Sequence, residues 1–255
     1  MKALITGATS GIGRDFAVLL SQKGYDLIIA SRNTKKMKQI QKKLYTNVQI
    51  ITVDLSCEKD CYKLYDIVKE QNIDIVINNA GFGAFGQFWD IPLQKELNMI
   101  DLNIKAVHIL TKLFVQYFRK KDKGYIMNVS SSAAFLAGPL MATYYATKAY
   151  ITSLTSSIYQ ELKEAKSHVH ICALCPGPVQ TNFNKIANVQ FSINGISASH
   201  CAVYGLQKMF QKKLIIIPTF YMKAAVWAMY KTPRKMALAI TSLQQRKKYH
   251  QSTTL

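Results

Sequence analysis

Acidic side chains are scarce in this sequence, and they are missing altogether from its last third. The 255 residues hold 14 Asp and Glu against 33 Lys and Arg, which gives a net charge of +19. From residue 165 to residue 255 there are 12 basic residues and no acidic one. Such asymmetry favours an anionic partner: a phosphorylated cofactor, an acidic substrate, a nucleic acid or a membrane surface. A solvated basic face is the simpler interpretation for most of these lysines.

Cysteine and long apolar runs are also in short supply. Five cysteines, an odd number, argue against a disulfide scaffold and favour a reduced, cytoplasmic setting. The best candidate for a membrane span, Leu214–Tyr230, has 17 residues and contains Pro218 and Lys223. A spanning helix needs about 20 apolar residues, and the start of the chain has no export signal. We therefore expect a soluble protein, and a hydrophobic content of 49% excludes intrinsic disorder.

Short runs rich in Ile and Val alternate with longer helical patterns along the chain. The runs are continuously apolar, which is typical of strands buried on both faces. The candidate strands are Lys2–Thr6, Leu27–Ser31, Val48–Asp54, Ile73–Asn78, Tyr125–Ser130, His168–Leu174 and Leu214–Pro218. The candidate helices are Ile12–Lys23, Lys35–Leu44, Glu58–Glu70, Leu97–Lys120 and Tyr144–Lys166. This order predicts one α/β domain, a doubly wound seven-stranded parallel sheet with helices on both faces and a C-terminal helical extension.

A glycine-rich loop follows the first candidate strand and opens a helix. It reads Thr6-Gly7-Ala8-Thr9-Ser10-Gly11-Ile12-Gly13. Glycines at this place let the backbone turn tightly and approach a pyrophosphate, which then rests on the helix N-terminus. A glycine-rich turn without a ligand is the competing interpretation, but the strand–loop–helix context is the one that the motif requires.

The second candidate strand ends without a carboxylate, in Ala30-Ser31-Arg32-Asn33. A carboxylate there would bind the ribose 2′-hydroxyl of NAD. Arg32, with Arg14 and Lys35 near it, can instead hold a 2′-phosphate through charge-assisted hydrogen bonds. The sequence therefore predicts NADP(H) as the cofactor, with a solvated residue at a helix start as the alternative for Arg32.

A tyrosine and a lysine, Tyr144 and Lys148, are four residues apart on a candidate helix and so share a face. A tyrosine that exchanges protons near neutral pH needs its pKa, ordinarily about 10, lowered. A cation one turn away lowers that pKa, because it favours the phenolate. Alone, this spacing is common and carries no function.

Here the pair stands among four other motifs in a fixed order. The five are Thr6–Gly13, Asn78-Asn79-Ala80-Gly81, Asn128-Val129-Ser130-Ser131, Tyr144 with Lys148, and Pro176-Gly177. Together, over about residues 1–181, they resemble the classical short-chain dehydrogenase/reductase family. The resemblance implies a Rossmann-type three-layer α/β/α fold, a homo-oligomer, and interconversion of a secondary alcohol and a ketone.

The resemblance also implies roles for individual residues. Tyr144 is the general acid or base, and Lys148 binds the nicotinamide ribose and lowers the pKa of Tyr144. Ser131, thirteen residues before Tyr144, hydrogen-bonds the substrate oxygen, and Asn103 holds a water in the proton relay. Only the motif spacing selects Ser131 over its neighbours Ser130 and Ser132. The same spacing selects Tyr144 over Tyr145. The implied cofactor residues are Gly7, Thr9, Ser10, Gly11, Ile12, Gly13, Ser31, Arg32, Asp54, Leu55, Asn79, Ala80, Gly81, Tyr144, Lys148, Pro176, Gly177, Val179 and Thr181.

Three regions are candidates for the substrate end. Residues 181–212 are expected to form a lid, and Phe82, Phe85, Phe88 and Trp89 can line an apolar pocket or pack as plain core. Residues 219–255 are expected to be a C-terminal extension. Aromatic residues alternate there with Lys223, Lys231, Arg234 and Lys235, a composition that suits membrane contact, a subunit contact or closure of the pocket.

Other candidate sites are weaker. Cys172 and Cys175 form a C-x-x-C pair, but no second pair completes a zinc site, so buried structural cysteines are the better interpretation. Cys57 and Cys61 have the wrong spacing for a zinc ribbon, and His168 alternates with His170 on one strand. No metal is predicted. No helix-turn-helix, zinc or RNA-binding motif supports nucleic-acid binding.

The sequence thus predicts an NADP(H)-dependent oxidoreductase whose small-molecule substrate is a bulky apolar alcohol or ketone. A hydroxysteroid or bile acid is the first expectation for the substrate, because the variable region is apolar and the basic surface would attract an anionic amphiphile. A 3-ketoacyl reductase, with the basic patch docking an acidic carrier protein, is the second. A non-catalytic NADP(H)-sensing or scaffold protein is the alternative of another class, and peripheral membrane contact is compatible with each.

Overall fold

Seven parallel strands form the central sheet of this computed structural model, which describes residues 1–181, 183, 187 and 195–253, with side chains to residue 246. The seven are β1 (Lys2–Thr6), β2 (Asp26–Ser31), β3 (Val48–Thr52), β4 (Ile75–Asn78), β5 (Tyr125–Val129), β6 (His170–Leu174) and β9 (Ile215–Ile216). Their order in the sheet is β3-β2-β1-β4-β5-β6-β9. Two short strands, β7 (Val179–Gln180) and β8 (Ile196–Ser197), pair separately from it.

Helices follow most of the strands. They are α1 (Gly11–Gln22), α2 (Thr34–Gln41), α3 (Glu58–Val68), α4 (Leu93–Ile100), α5 (Val107–Lys121), α6 (Ala142–Glu164), α7 (Ala198–Phe210), α8 (Phe220–Lys231) and α9 (Arg234–Thr253). A π-helical segment, Asp101–Ala106, joins α4 to α5, and one 3₁₀ turn covers Ser132–Phe135.

Alternate residues of each central strand supply the two halves of the core. In β1, Ile5 packs in one cluster with Phe16 of α1 and Leu206 of α7. Its neighbour Leu4 packs on the opposite face with Leu64 of α3 and Phe114 of α5. Because successive strand side chains point to opposite faces, continuously apolar strands need helices on both sides. The predicted three-layer, doubly wound α/β fold is confirmed.

A buried amide pair ties β4 to β5 in the middle of the sheet. Asn78 Nδ2 donates to Asn128 Oδ1 at 2.9 Å, and Asn128 Nδ2 donates to Thr155 Oγ1 of α6 at 3.0 Å. Thr111 of α5 donates to the same Asn128 oxygen at 3.2 Å. Polar groups buried this deeply stabilise the fold only when they are paired, so this network fixes α5 and α6 against the sheet.

The predicted element boundaries differ from the structure at several places. The predicted helix Leu97–Lys120 is three segments, α4, the π-helical turn and α5, and it begins four residues earlier. His168 lies before β6, which starts at His170, and the strand predicted at Leu214–Pro218 shortens to Ile215–Ile216. β9 pairs only with Ala173 and Leu174 of β6, so the outer residues of the predicted last strand lie outside the ladder.

Part of the expected lid, residues 181–212, forms α7 and packs in the core. α7 packs along α1, and its residues Cys201, Ala202, Leu206 and Met209 are buried against the sheet. The rest of the expected lid falls mostly on residues 182, 184–186 and 188–194, which lie outside the described residues. The expected extension, residues 219–255, contains the two helices α8 and α9. No helix within the described ranges is long and apolar enough to cross a membrane.

Candidate active site

A cleft of about 930 Å³ opens at the carboxyl ends of the strands. β1 pairs with β2 on one side and with β4 on the other, so the chain continues from β1 towards one edge of the sheet and from β4 towards the other edge. Such a switch point is where sheets of this kind bind ligands. Every predicted cofactor residue except Gly13 lines the cleft, as do the predicted catalytic residues Ser131, Tyr144 and Lys148.

The loop after β1 is closed against the loop after β4 by contacts that leave no room for side chains. Gly7 has φ +68°, and a Cβ on it would lie 2.8 Å from Ala80 Cα. A Cβ on Gly13 would lie 2.4 Å from Asn79 Nδ2. That amide nitrogen donates to the carbonyl oxygens of Thr6 at 3.0 Å and Gly7 at 3.1 Å. Gly13 therefore serves the packing of α1 on Asn79, which explains why it does not line the cleft.

The N-terminus of α1 is suited to an anion. Ser10 precedes the helix in an extended conformation, and its side chain makes no capping hydrogen bond. The first turn has no acidic residue. The first backbone N–H groups of a helix have no partner within it and carry a partial positive charge. The residues present thus fit the pyrophosphate of a dinucleotide, which would accept hydrogen bonds from these groups.

Arg32 lies at the far end of the cleft with Asp54. Its Nη1 atom is 3.8 Å from Asp54 Oδ2, and 71% of the arginine side chain is exposed. Burial alone would raise the pKa of Asp54, but hydrogen bonds from Ser56 and the charge of Arg32 lower it overall. Arg14, which the sequence placed near Arg32, does not line the cleft, and its Nε atom donates to Asp15 Oδ1 at 2.7 Å.

Tyr144 is buried at the centre of the cleft. Burial raises the pKa of this phenol to about 12, and a hydrogen bond with Ser131 lowers it only in part. This direction is opposite to the lowering that the sequence predicts. The reason is geometric, since the Lys148 Nζ atom lies 5.8 Å from the ring centroid of Tyr144 and donates to the carbonyl of Val129 at 2.9 Å. Desolvation of the phenolate therefore outweighs the ammonium charge.

Lys148 is itself buried, on the turn of α6 that follows Tyr144. Burial lowers the pKa of its ammonium to about 8. A desolvated ammonium that donates only to the carbonyl of Val129 keeps hydrogens for a further acceptor, and the hydroxyls of a ribose are such acceptors.

Ser130 and Ser131 face different partners. The Ser130 hydroxyl is 3.0 Å from the carbonyl oxygen of Lys148, to which it donates, and 2.7 Å from Thr152 Oγ1. Ser131 accepts from the backbone N–H of Ala133 at 3.1 Å and hydrogen-bonds Tyr144. The geometry therefore pairs Ser131, the residue selected by spacing, with Tyr144.

Asn103 does not line the cleft. It lies in the π-helical segment, and its Nδ2 atom donates to the Phe82 carbonyl at 2.8 Å and to Thr147 Oγ1 at 3.2 Å. Its Oδ1 atom accepts from the Phe82 N–H at 3.1 Å. A π-turn is uncommon and often marks a functional site. Here it directs the Asn103 amide to the loop after β4, so the side chain braces that loop behind Tyr144.

The other end of the cleft is apolar and is built partly by the C-terminal helices. Leu136, Met141, Tyr145, Phe183, Tyr221, Met222, Met229, Ile240 and Gln244 line it. Gln245 of α9 donates to the Tyr145 hydroxyl at 2.7 Å, and Thr241 donates to the Ala137 carbonyl at 2.9 Å. From the sequence, Tyr221 and Met229 are expected only as part of an aromatic segment that closes the pocket, contacts a subunit or contacts a membrane. The only signal for them was the apolar, aromatic composition of the tail.

The four aromatic residues after β4 divide between two surroundings. Phe82 lines the cleft, and both Phe82 and Phe85 pack in the cluster around Tyr144. Phe88 is 60% exposed and Trp89 is 78% exposed, and neither lines the cleft. Both alternatives stated for Phe88 and Trp89, pocket lining and core packing, are therefore wrong.

No cysteine or histidine of the described residues lines the cleft. Cys172 and Cys175 are fully buried, and burial raises the pKa of both thiols, that of Cys175 to about 12. His168 forms an exposed ion pair with Asp122, whereas His170 is buried. Among the described residues there is no group of three His, Cys, Asp or Glu that could hold a metal ion.

The chain belongs to the short chain dehydrogenase family, whose model matches residues 1–190. It is therefore an oxidoreductase of that family. It is 33% identical over 192 residues to the Dehydrogenase/reductase SDR family member 11 of Gallus gallus, covering 71% of this chain and 75% of the relative.

Solved structures show the same fold. A short-chain dehydrogenase of Sphingobium yanoikuyae in complex with NADPH matches with a TM-score of 0.82 and 24% identity over 90% of this chain and 92% of that one. A bulky-bulky ketone specific alcohol dehydrogenase of Comamonas testosteroni matches with a TM-score of 0.76 and 26% identity over 91% and 94%. Structures of this fold include complexes with NADPH and with NAD.

Proposed function

We propose that this protein is an NADP(H)-dependent oxidoreductase that interconverts a secondary alcohol and a ketone. The convergence of Ser131, Tyr144 and Lys148 on the cleft that also holds the glycine loop carries this proposal. When bound there, the nicotinamide supplies or accepts the hydride. The chain's own residues handle the proton and the charge on the substrate oxygen.

Tyr144 and Ser131 divide that work. A pKa of about 12 keeps the proton on the Tyr144 hydroxyl at neutral pH, and this is the form that donates to a ketone oxygen during reduction. Ser131, hydrogen-bonded to Tyr144, stabilises the negative charge that develops on the same oxygen. Lys148 would hold the ribose hydroxyls of the nicotinamide through the ammonium hydrogens that the Val129 carbonyl does not accept.

Arg32 supports NADP(H) over NAD(H). No carboxylate follows β2, where the ribose 2′-hydroxyl of NAD would need one, and Arg32 is exposed at the adenosine end of the cleft. Its 3.8 Å contact with Asp54 is long for an ion pair, so the guanidinium can turn to a 2′-phosphate at small cost.

A bulky apolar ketone or alcohol is the proposed substrate class, with a hydroxysteroid or bile acid as the first candidate. The apolar end of the cleft supports it, as does the match to an enzyme described as specific for bulky ketones. A 3-ketoacyl group is the second candidate substrate. It would contact the same apolar end of the cleft, and the basic surface would dock the acidic carrier protein. The family also suggests a homo-oligomer, which light scattering would measure.

Replacing Tyr144 by Phe tests the enzyme assignment. We expect turnover of a bulky ketone, followed by NADPH absorbance, to fall on the order of 10²–10⁴-fold, because the proton donor is lost. NADPH binding, followed by fluorescence titration, stays close to wild type. Tyr145→Phe is the matched control and keeps turnover of the same ketone well above that of the Tyr144 variant.

Two outcomes would contradict the proposal. Full turnover by the Tyr144 variant would remove this residue from proton transfer. NADPH binding without turnover across a panel of bulky ketones, acyl substrates and small alcohols would favour the NADP(H)-sensing or scaffold alternative.

A further inference from the structure

The two C-terminal helices carry large apolar side chains that the described part of the chain leaves mostly exposed. Five of them are between 59% and 85% exposed: Phe220, Trp227, Tyr230, Met236 and Leu243. None of the five lines the cleft. A concentration of exposed large apolar residues on one part of a protein marks an interaction site rather than ordinary surface.

Basic residues share these helices with the apolar ones. Lys231, Arg234, Lys235 and Arg246 are exposed, and no acidic residue follows Glu164 anywhere in the chain. We name the nine residues, five apolar and four basic, the tail surface. Two copies of the tail surface facing each other would bring only positive charges together, which disfavours a symmetric contact between copies of this chain. Its partner must therefore be apolar and anionic at once.

An anionic lipid bilayer meets both requirements. Trp and Tyr rings settle at the level of lipid headgroups, apolar tips enter the acyl boundary, and Lys and Arg side chains reach the phosphates. No helix of the described part is long and apolar enough to span a bilayer, so contact would be with its surface. The apolar side chains stand outside the cleft rather than lining it, which suits insertion into a soft headgroup layer.

We propose that the tail surface docks this protein on membranes that contain anionic lipid. The same two helices supply Tyr221, Met222 and Met229 of α8 and Ile240 of α9 to the apolar end of the cleft. Docking therefore brings that end of the cleft next to the bilayer, where bulky apolar molecules partition. This last step rests on the proposed function, whereas the docking itself does not.

Tryptophan fluorescence tests the docking directly. The chain has only two tryptophans, and Trp89 is exposed away from the cleft, so Trp89→Phe leaves Trp227 as the sole reporter. We expect its emission to shift to the blue on addition of phosphatidylcholine vesicles that contain phosphatidylserine. Vesicles of phosphatidylcholine alone should give a much smaller shift, and raised salt should weaken the response.

Charge reversal supplies a second measurement. The triple variant Lys231→Glu, Arg234→Glu, Lys235→Glu should weaken vesicle binding in flotation on the order of 100-fold, since each basic residue contributes independently near an anionic surface. The triple variant Lys42→Glu, Lys43→Glu, Lys59→Glu changes the net charge equally at exposed positions directly after α2 and in α3. It should bind vesicles far better than the first variant. Thermal unfolding of both variants verifies that they are folded.

Several results would overturn the proposal. These are an unchanged Trp227 emission on anionic vesicles, an equal loss in both triple variants, or equal binding to neutral vesicles. A dimer that dissociates on Trp227→Ala, without vesicle binding by the parent protein, would assign the tail surface to subunit contact. The assay contains neither cofactor nor substrate, so a failure of the proposed enzymatic function would leave these outcomes unchanged.

Discussion

Ser130 and Ser131 are adjacent in the chain, yet their hydroxyls have different surroundings. Ser130 is 3% exposed and ties β5 to the helix that carries Tyr144 and Lys148, through the Lys148 carbonyl. Ser131 is hydrogen-bonded to the Tyr144 phenol. Alternation along an extended segment explains the difference, because successive side chains leave it on opposite sides. One serine therefore holds the site together and the other serves its chemistry.

Alanine substitution should separate these two roles. We expect Ser131→Ala to lower kcat on the order of 10²-fold or more, because a donor to the developing oxyanion is lost. Ser130→Ala should mainly lower the free energy of unfolding, by about 1–3 kcal/mol, because a buried hydrogen bond to Thr152 is lost. Steady-state kinetics and urea unfolding of both variants measure this, and the reverse order in kcat would show that the serines are exchanged.

Arg32 is the residue on which we expect the choice between NADPH and NADH to depend. We expect Arg32→Asp to shift the ratio of kcat/KM for NADPH and NADH towards NADH by roughly 10–100-fold, because a charge-assisted contact with the 2′-phosphate becomes a repulsion. Lys38→Asp makes the same change in charge on an exposed position of α2 outside the cleft. If both variants change the ratio of kcat/KM for NADPH and NADH equally, the overall electrostatic field of the surface explains the change. Arg32 then makes no specific contact with the 2′-phosphate.

At the scale of elements, local patterns predicted the cofactor half of the molecule. Its strands are continuously apolar, and its site residues follow them directly in the chain, so the motif and the strand end coincide. The π-helical turn could not be predicted, because one extra residue in a turn barely changes the apolar periodicity of Leu97–Lys120. The direction of the pKa shift of Tyr144 could not be predicted either, since it depends on burial by Phe183 and other distant residues.

The first residue of β6 makes the stability of the sheet depend on pH. His170 is 4% exposed and packs edge-on against the rings of Tyr125 and Tyr159. Burial lowers the pKa of His170 from 6.5 to about 4. The unfolded chain therefore binds a proton on this residue below about pH 6.5, whereas the folded chain does not until about pH 4. The free energy of unfolding should fall over this interval as the pH is lowered.

Replacing His170 by Phe tests this dependence. The variant keeps an aromatic ring between the two tyrosines but has no group to protonate. Between about pH 6.5 and pH 4, we expect the variant to lose less unfolding free energy than wild type does. The difference between the two losses should be on the order of 2 kcal/mol. Urea unfolding across this pH range measures it. His200→Phe, at an exposed position of α7, should behave as wild type does.

At the scale of the whole molecule, the chain returns from the sheet edge to complete the site that its first half began. α9 docks beside Tyr145 through Gln245 and beside Ala137 through Thr241, although about a hundred residues separate the partners in the chain. Both α9 side chains are almost fully buried. No local motif indicates contacts between residues so far apart in the chain. The sequence therefore predicted a C-terminal extension here but not that its helices line the cleft.

A double substitution measures how firmly α9 is held. Gln245→Leu leaves the buried Tyr145 hydroxyl without this donor, and we expect it to lower the free energy of unfolding by about 1–3 kcal/mol. Adding Tyr145→Phe removes the hydroxyl as well and should recover part of that loss. Urea unfolding of the two single variants and the double variant gives the coupling. Additive losses in the double variant would mean that the two side chains do not act as a pair.

The division of the cleft between early and late parts of the chain has a consequence for how such proteins diversify. The dinucleotide end is complete by Thr181, whereas much of the opposite wall comes from Tyr221 to Gln244. A recombination event confined to the gene's 3′ portion would therefore exchange the substrate wall and leave the redox half intact. New substrate specificities could then arise when a different C-terminal segment replaces this one, provided that the new segment supplies a hydrogen-bond donor to the Tyr145 hydroxyl.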